Sequence, residues 1–201
     1  MARRYVLFLV VTLAVVFLDH WTKYLAVEHL TSFFDAHEGV SAELGALYGD
    51  PPPQAGVFHY PPRGKVEVID GLLRFRYAEN PGAAWGLFRT LPPNVRGPLF
   101  HVVTIGAVIL IFGFFRTLTG KPEEKWAVWG LPLILGGALG NYIDRIARAF
   151  VIDFIEAHWF DKAYWPAFNI ADAAICIGVG CMVVDSFVRK PAPAVETGAA
   201  S

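Results

Sequence analysis

The chain has 201 residues, 55% of them hydrophobic, with 17 Lys and Arg against 18 Asp and Glu for a formal net charge of −1. That balance lacks the basic excess of a nucleic-acid-binding protein, and so apolar a composition excludes an intrinsically disordered chain. A positive mean hydropathy turns the expectation from one or two soluble domains to a membrane protein.

The first apolar stretch, at about 5–27, is interrupted late by Asp19 and Lys23. It follows Arg3 and Arg4 as a secretory signal would. However, no small-x-small cleavage site follows it, and the helical pattern continues through "DHWTKYLAVEHL", so a retained anchor is expected. The loop 28–97 comes next. Its part 35–64 is rich in Gly and Pro and has no period, which predicts an irregular insertion without a packed element. Residues 65–79, "KVEVIDGLLRFRYAE", alternate apolar and polar and predict short strands broken at Asp70-Gly71. Further spans are expected at about 98–115, 126–143 and 167–188, with a loop 144–166 before the last. Each is near the ~20 residues that cross a bilayer core. Residues 1–190 thus form a single membrane-embedded domain, and the Pro/Ala-rich tail 191–201 is expected to be disordered. Cys176 and Cys181 share one apolar run without metal spacing and read as small packing residues. The fold class is an all-α polytopic membrane protein with four transmembrane helices. The flanks holding Arg3 and Arg4, Arg116, Lys121 and Lys125, and Arg189 and Lys190 fall on one side of four spans. That places both termini in the cytoplasm and the loops 28–97 and 144–166 outside.

The unusual polar residues gather at the outer ends of these spans. Asp19 and Lys23, four apart, share a helix face. Asn141, Asp144 and Arg145 close span three, and Asn169 and Asp172 open span four. At ~1.5 Å per residue, Asp172 lies only about 7 Å beyond Ala167. Asn80 and Asp153 sit in the outer loops. An Asp/Lys pair is commonly structural, and an intramembrane Asn commonly holds helices together. Intramembrane carboxylates, though, usually face a protein interior or a wet cavity, and their meeting at one depth points to a functional site.

The chemistry follows by elimination. No serine occupies a Gly-x-Ser-x-Gly setting, no Ser–Lys dyad stands out, and no His-Glu-x-x-His occurs. His101 has no evident role beyond packing or hydrogen bonding. Carboxylates remain. Two that are close share a proton, so one can accept a proton from water while the other donates to a scissile carbonyl. The candidates are Asp19, Asp144, Asp153 and Asp172. Asp144 has Arg145 beside it and Asp19 has Lys23, whereas Asp153 and Asp172 have no cation within four residues, which ranks these two first without deciding the pair. The alternative from another class is a proton-coupled transporter subunit with Asp19, Lys23 and Asp172 as a relay. Transporters, however, place such groups near the midplane and show repeated halves.

Five segments in order, "DHWTK", "NPGAAWG", "GGALGNYIDR", "VIDF" and "FNIADAA", together resemble lipoprotein signal peptidase, the signal peptidase II family of aspartic membrane proteases. The resemblance implies a bacterial inner-membrane endopeptidase that removes the signal peptide of prolipoproteins before a cysteine carrying diacylglycerol, in contact with membrane lipids and without cofactor or metal. It implies catalytic roles for Asp153 and Asp172. Supporting roles fall to Asp19, Lys23, Asn80, Asn141, Asp144, Arg145 and Asn169. It also implies a small extracytoplasmic β-cradle at about 66–90. His20 stands where the family usually has glutamine, and Trp85 where phenylalanine is common.

Overall fold

The structure is a computed structural model that describes residues 2–49, 59–83 and 86–189. Trp85 and the tail 191–201 lie outside the described residues. The elements in chain order are α1 (Ala2–Leu30), α2 (Val40–Gly49), β1 (Lys65–Ile69), β2 (Leu73–Asn80), α3 (Pro93–Thr117), α4 (Lys125–Arg148), β3 (Val151–Trp159), β4 (Ala163–Tyr164) and α5 (Ile170–Val188).

Among the described residues, four helices are long and apolar enough to cross a membrane: α1, α3, α4 with the short turn before it, and α5. Their exposed positions are apolar, among them Leu13, Val102, Leu110 and Phe187. Against lipid that exposure carries no penalty, while every helix satisfies its own backbone. The first three spans run a few residues beyond the apolar runs, because polar residues at their ends continue the helical hydrogen bonding, whereas the fourth starts at Ile170 and not at 167, because Asn169 is its extended N-cap.

The most buried helix is α4, with half of its apolar window enclosed against 6% for α3. Its inner face is built of glycines. A Cβ on Gly137 would stand 2.3 Å from the Ala171 carbonyl oxygen, and one on Gly140 2.5 Å from Asp19 Oδ2. The backbones of α4 and α5 therefore touch, as small residues allow in membranes.

Beyond the site end of the bundle lies one antiparallel sheet of order β1-β2-β3-β4. Two expectations need correction here. Its strands in the first loop stop at Asn80, short of the expected 66–90, and residues 151–159 of the second loop supply the longest strand. Alternation signals a half-buried strand, and β3 is buried almost throughout its first six residues, so its apolar run "VIDFI" carried no such signal. The register Asn80↔Val151 and Ala78↔Asp153 sets Asn80 next to the strand that carries Asp153.

The insertion 35–64 is also corrected. It contains helix α2, which packs on α1 and α4. The Leu47 side chain is buried beside Tyr24, Phe34, Tyr60 and Tyr77. Tyr24 Oη donates to Glu43 at 2.5 Å, and Tyr60 Oη donates to the Leu47 carbonyl at 3.3 Å. The internal Gly45 weakens its intrinsic helix propensity; tertiary contacts of Leu47 and Glu43 supply what propensity does not.

Candidate active site

Two elements deliver the two leading carboxylates and the asparagine between them. Asp153 lies on β3, Asp172 in the first turn of α5, and Asn169 is the N-cap of α5. In that cap the Asp172 amide donates to Asn169 Oδ1 at 3.0 Å, and the Asn169 amide donates to Asp172 Oδ2 at 3.3 Å. This reciprocal capping box satisfies helix-start donors and settles which way the Asn169 side chain points. With Oδ1 occupied, Nδ2 turns outward and donates to Asp153 Oδ1 at 2.8 Å, with Asn141 Oδ1 and the Ile152 carbonyl both at 3.1 Å. One asparagine therefore joins both aspartates.

The other two asparagines are oriented by the same reasoning. Asn80 Oδ1 accepts from the Gly82 amide at 3.0 Å, leaving Nδ2 to donate to Asp153 Oδ2 at 3.1 Å. Asn141 Oδ1 accepts from Lys23 Nζ at 3.2 Å, leaving Nδ2 to donate to Asp172 Oδ1 at 2.8 Å. An ammonium has donors only, so Lys23 sets the polarity of Asn141 and, through it, the hydrogen bond that Asp172 receives.

Behind this layer is a fully enclosed ion cluster. Lys23 Nζ lies 2.6 Å from Asp19 Oδ2 and 2.8 Å from Asp144 Oδ2, all three side chains being at most 1% exposed. With Asn141, its three protons meet three acceptors. Asp19 Oδ1 accepts from the Ala171 amide at 3.0 Å, which ties α1 to the first turn of α5. Asp144 Oδ1 pairs with Arg148 at 3.1 Å, and Oδ2 also accepts from the Ile152 amide at 3.2 Å. Tyr48 of α2 covers the cluster, with its ring 4.9 Å from the Arg148 guanidinium and its hydroxyl 2.9 Å from His20 Nδ1.

The cation beside Asp144 is thus Arg148, one helical turn away, and not the adjacent Arg145. The i, i+4 spacing of Asp144 and Arg148 was the sequence signal for it. Arg145 points the other way. It donates to the Asn141 carbonyl at 3.0 Å and to the Gly82 carbonyl at 2.9 Å, and lies 4.3 Å from the Phe100 ring centroid. It braces the turn that orients Asn80. His101 finds its partner in Tyr142, Nδ1 to Oη at 3.0 Å, at the α3–α4 contact.

Asp153 is 2% exposed. Burial, and after it the charge of Asp172, push its carboxyl up to about 8, against the opposing pull of the Asn80 hydrogen bond. Near neutral pH it is a carboxylic acid with a proton to give. Of the nine residues singled out from the sequence, all meet in this one network: Asp153, Asp172, Asn80, Asn141 and Asn169 at its front, Asp19, Lys23 and Asp144 behind, Arg145 at the side. No group of three or more His, Cys, Asp or Glu suited to a metal ion occurs among the described residues.

A four-helix membrane bundle, capped by a small sheet and carrying two carboxylates joined through an asparagine, defines the class of membrane aspartic peptidases. Comparison with known proteins narrows the class. The family profile described as signal peptidase (SPase) II matches residues 11–188. A lipoprotein signal peptidase of Anaeromyxobacter sp. (strain Fw109-5) is 41% identical over 175 residues, 83% of this chain and 78% of that protein. One from Syntrophus aciditrophicus (strain SB) is 35% identical over 190 residues, 94% and 98% respectively. A solved structure of a bacterial membrane enzyme superposes with a TM-score of 0.60 at 27% identity, covering 92% of this chain and 93% of that one. The chain belongs to the signal peptidase II family and is an aspartic endopeptidase. That membership decides between the hydrolase and the transporter in favour of the hydrolase.

Proposed function

We propose that the chain removes signal peptides from prolipoproteins, cutting the peptide bond before a cysteine that carries diacylglycerol, with Asp153 and Asp172 as the catalytic dyad. The observation that carries this reading is the double engagement of Asn169. Its side-chain amide holds Asp153, while its main-chain amide holds Asp172.

Asp172 receives hydrogen bonds only, from Asn141 Nδ2 and the Asn169 amide, and takes the proton of the attacking water. Asp153, protonated near neutral pH, gives its proton to the carbonyl oxygen as the water oxygen bonds to the carbonyl carbon. Collapse of the tetrahedral intermediate returns a proton to Asp153 and passes the one held by Asp172 to the leaving nitrogen. No covalent enzyme intermediate forms. Asn80 and Asn169 fix the Asp153 carboxyl plane. The Lys23 cluster holds Asn141, and Arg145 holds the turn before α3.

The site faces the periplasmic side in this reading, with both termini cytoplasmic. The substrate's acyl chains stay in the bilayer and the signal helix lies alongside. Anchoring there positions the scissile bond at the membrane boundary, and binding energy from remote groups of this kind offsets the entropy of orientation. The deciding experiment gives the purified protein two precursor peptides of one sequence, with and without diacylglyceryl on the cysteine. Cleavage before the cysteine in the lipidated peptide alone is expected. Equal cleavage of both peptides, or cleavage elsewhere, would sink the substrate assignment.

A further inference from the structure

At the end of the bundle remote from Asp172 is a second constellation that the peptidase reaction does not use. A cavity of about 520 Å³ opens between the start of α1, the turn joining α3 to α4, and the first turns of α4. Four cations line it, Arg3, Arg4, Lys121 and Lys125, together with the apolar Leu7 and the ring of Trp129. Among the described residues no carboxylate lines it. The nearby Glu124 is turned onto its own backbone, where Oε2 accepts from the amides of Thr119, Gly120 and Lys121 at 2.7, 2.5 and 3.1 Å.

Arg4 is the telling residue. Its Nη2 reaches Tyr5 Oη at 3.4 Å, but its Nε and Nη1 are buried and have no acceptor among the described residues. Buried polar nitrogens are nearly always paired, and a guanidinium matches the oxygens of a phosphate edge-on. Four like charges around one cavity also repel until an anion enters. The walls say what kind of anion. Leu7 belongs to the lipid-facing stretch of α1 that includes the exposed Val6 and Val10. Trp129 is half exposed, as aromatic residues are at the headgroup level of a bilayer. A phosphate in the cavity therefore has an apolar path beside it for an acyl chain.

We propose that this cavity binds the phosphodiester headgroup of an anionic membrane phospholipid, with Arg4 contacting the phosphate and Arg3, Lys121 and Lys125 neutralising it. The site is independent of the peptidase centre, since the stretch of α4 from Lys125 to Asn141 separates the two by about 24 Å.

The test is native mass spectrometry of the full chain in mild detergent with short-chain phosphatidylglycerol or phosphatidylcholine, for the wild type, Arg4→Gln, Lys121→Gln and Lys121→Gln/Lys125→Gln. The wild type is expected to retain phosphatidylglycerol over phosphatidylcholine by at least tenfold. Near an anionic surface a cation contributes about 1 kcal/mol, or about fivefold in affinity, so each single variant should lose about fivefold and the double variant about 25-fold. Melting temperatures are measured alongside; Lys121 and Lys125 are exposed, so their variants report even where Arg4→Gln fails to fold. Equal retention of both lipids by the wild type overturns the proposal, and so does an undiminished preference in the folded double variant. Displacement of phosphatidylglycerol by millimolar inorganic phosphate would make the site one for free phosphate and overturn the lipid assignment.

Discussion

Asp153→Asn replaces a carboxyl that the fold keeps protonated with an amide that cannot titrate, and the difference is visible in how stability depends on pH. The ordinary value of 3.8 is raised to about 8 in the folded chain. Between these limits the native state retains a proton that the unfolded chain has released. The unfolded state binds fewer protons, so stability falls as pH rises across that window. The contribution is fully present below about pH 4 and lost above about pH 8, with a slope of about 1.4 kcal/mol per unit. From pH 5 to pH 7 the wild type should lose about 3 kcal/mol through this group alone. The amide has no such slope. It has a fixed cost instead: Asp153 accepts from Asn169 and Asn80, one on each oxygen, and an amide offers one acceptor where the carboxyl offered two. That loss is about 1 kcal/mol at every pH. Denaturant unfolding in mild detergent at pH 5, 6 and 7, followed by tryptophan fluorescence, gives the comparison. The stability of Asp153→Asn relative to the wild type should improve by about 3 kcal/mol over that range. Parallel curves would mean that Asp153 is ionised throughout, and the assignment of the acid would fall with it.

Asp153→Asn and Asp172→Asn should each abolish hydrolysis of a lipidated precursor peptide while leaving helix content by circular dichroism unchanged. Near-normal turnover in either variant would remove that residue from the dyad. Lys23→Met leaves Asp19 and Asp144 buried and facing each other, and should destabilise the fold by ~3–5 kcal/mol in denaturant titrations; a loss under 1 kcal/mol would show that water reaches the cluster. Gly137→Ala forces a Cβ to 2.3 Å from the Ala171 carbonyl oxygen and should cost about 1–3 kcal/mol through separation of α4 and α5, an effect that Gly113→Ala, with open space around it, lacks. Replacing 38–62 by a short Gly-Ser bridge should lower the melting temperature, because it removes Leu47 and Tyr60 from the core beneath the sheet; an unchanged melting temperature would show that α2 adds nothing to that core.

The spans and the site were legible for one reason. In a membrane segment almost every residue is apolar, so each polar exception is visible against a quiet background. Asp19, Lys23, Asn141 and Asp172 stood out in that way. The loops gave less. In α2 the buried Leu47 stands beside the exposed Val40, Leu44 and Tyr48, and no local signal distinguishes it from these. In β3 burial of both faces erased the alternation that marked β1 and β2. The orientation of Arg145 was hidden for a different reason. Adjacent helix positions point about 100° apart, so the neighbour of Asp144 in sequence is not its neighbour in space, and the turn at Gly82 that Arg145 braces comes from another part of the chain.

The hydrogen bond from the Ala171 amide to Asp19 has a consequence for biosynthesis. It joins α1 to α5, the first and last of the four spans among the described residues, at the residue before Asp172. Asn169 and Asp172 emerge only with that last helix, and until then the Asp19 carboxylate lacks its α5 donor. A released chain truncated near residue 165 should therefore insert three helices, yet leave Asp19 Oδ1 without its α5 donor. Limited proteolysis in membranes, comparing that chain with the full one, would show it, with greater protection expected once α5 is present. The peptidase is in this way inert until α5, which carries Asn169 and Asp172, is in place.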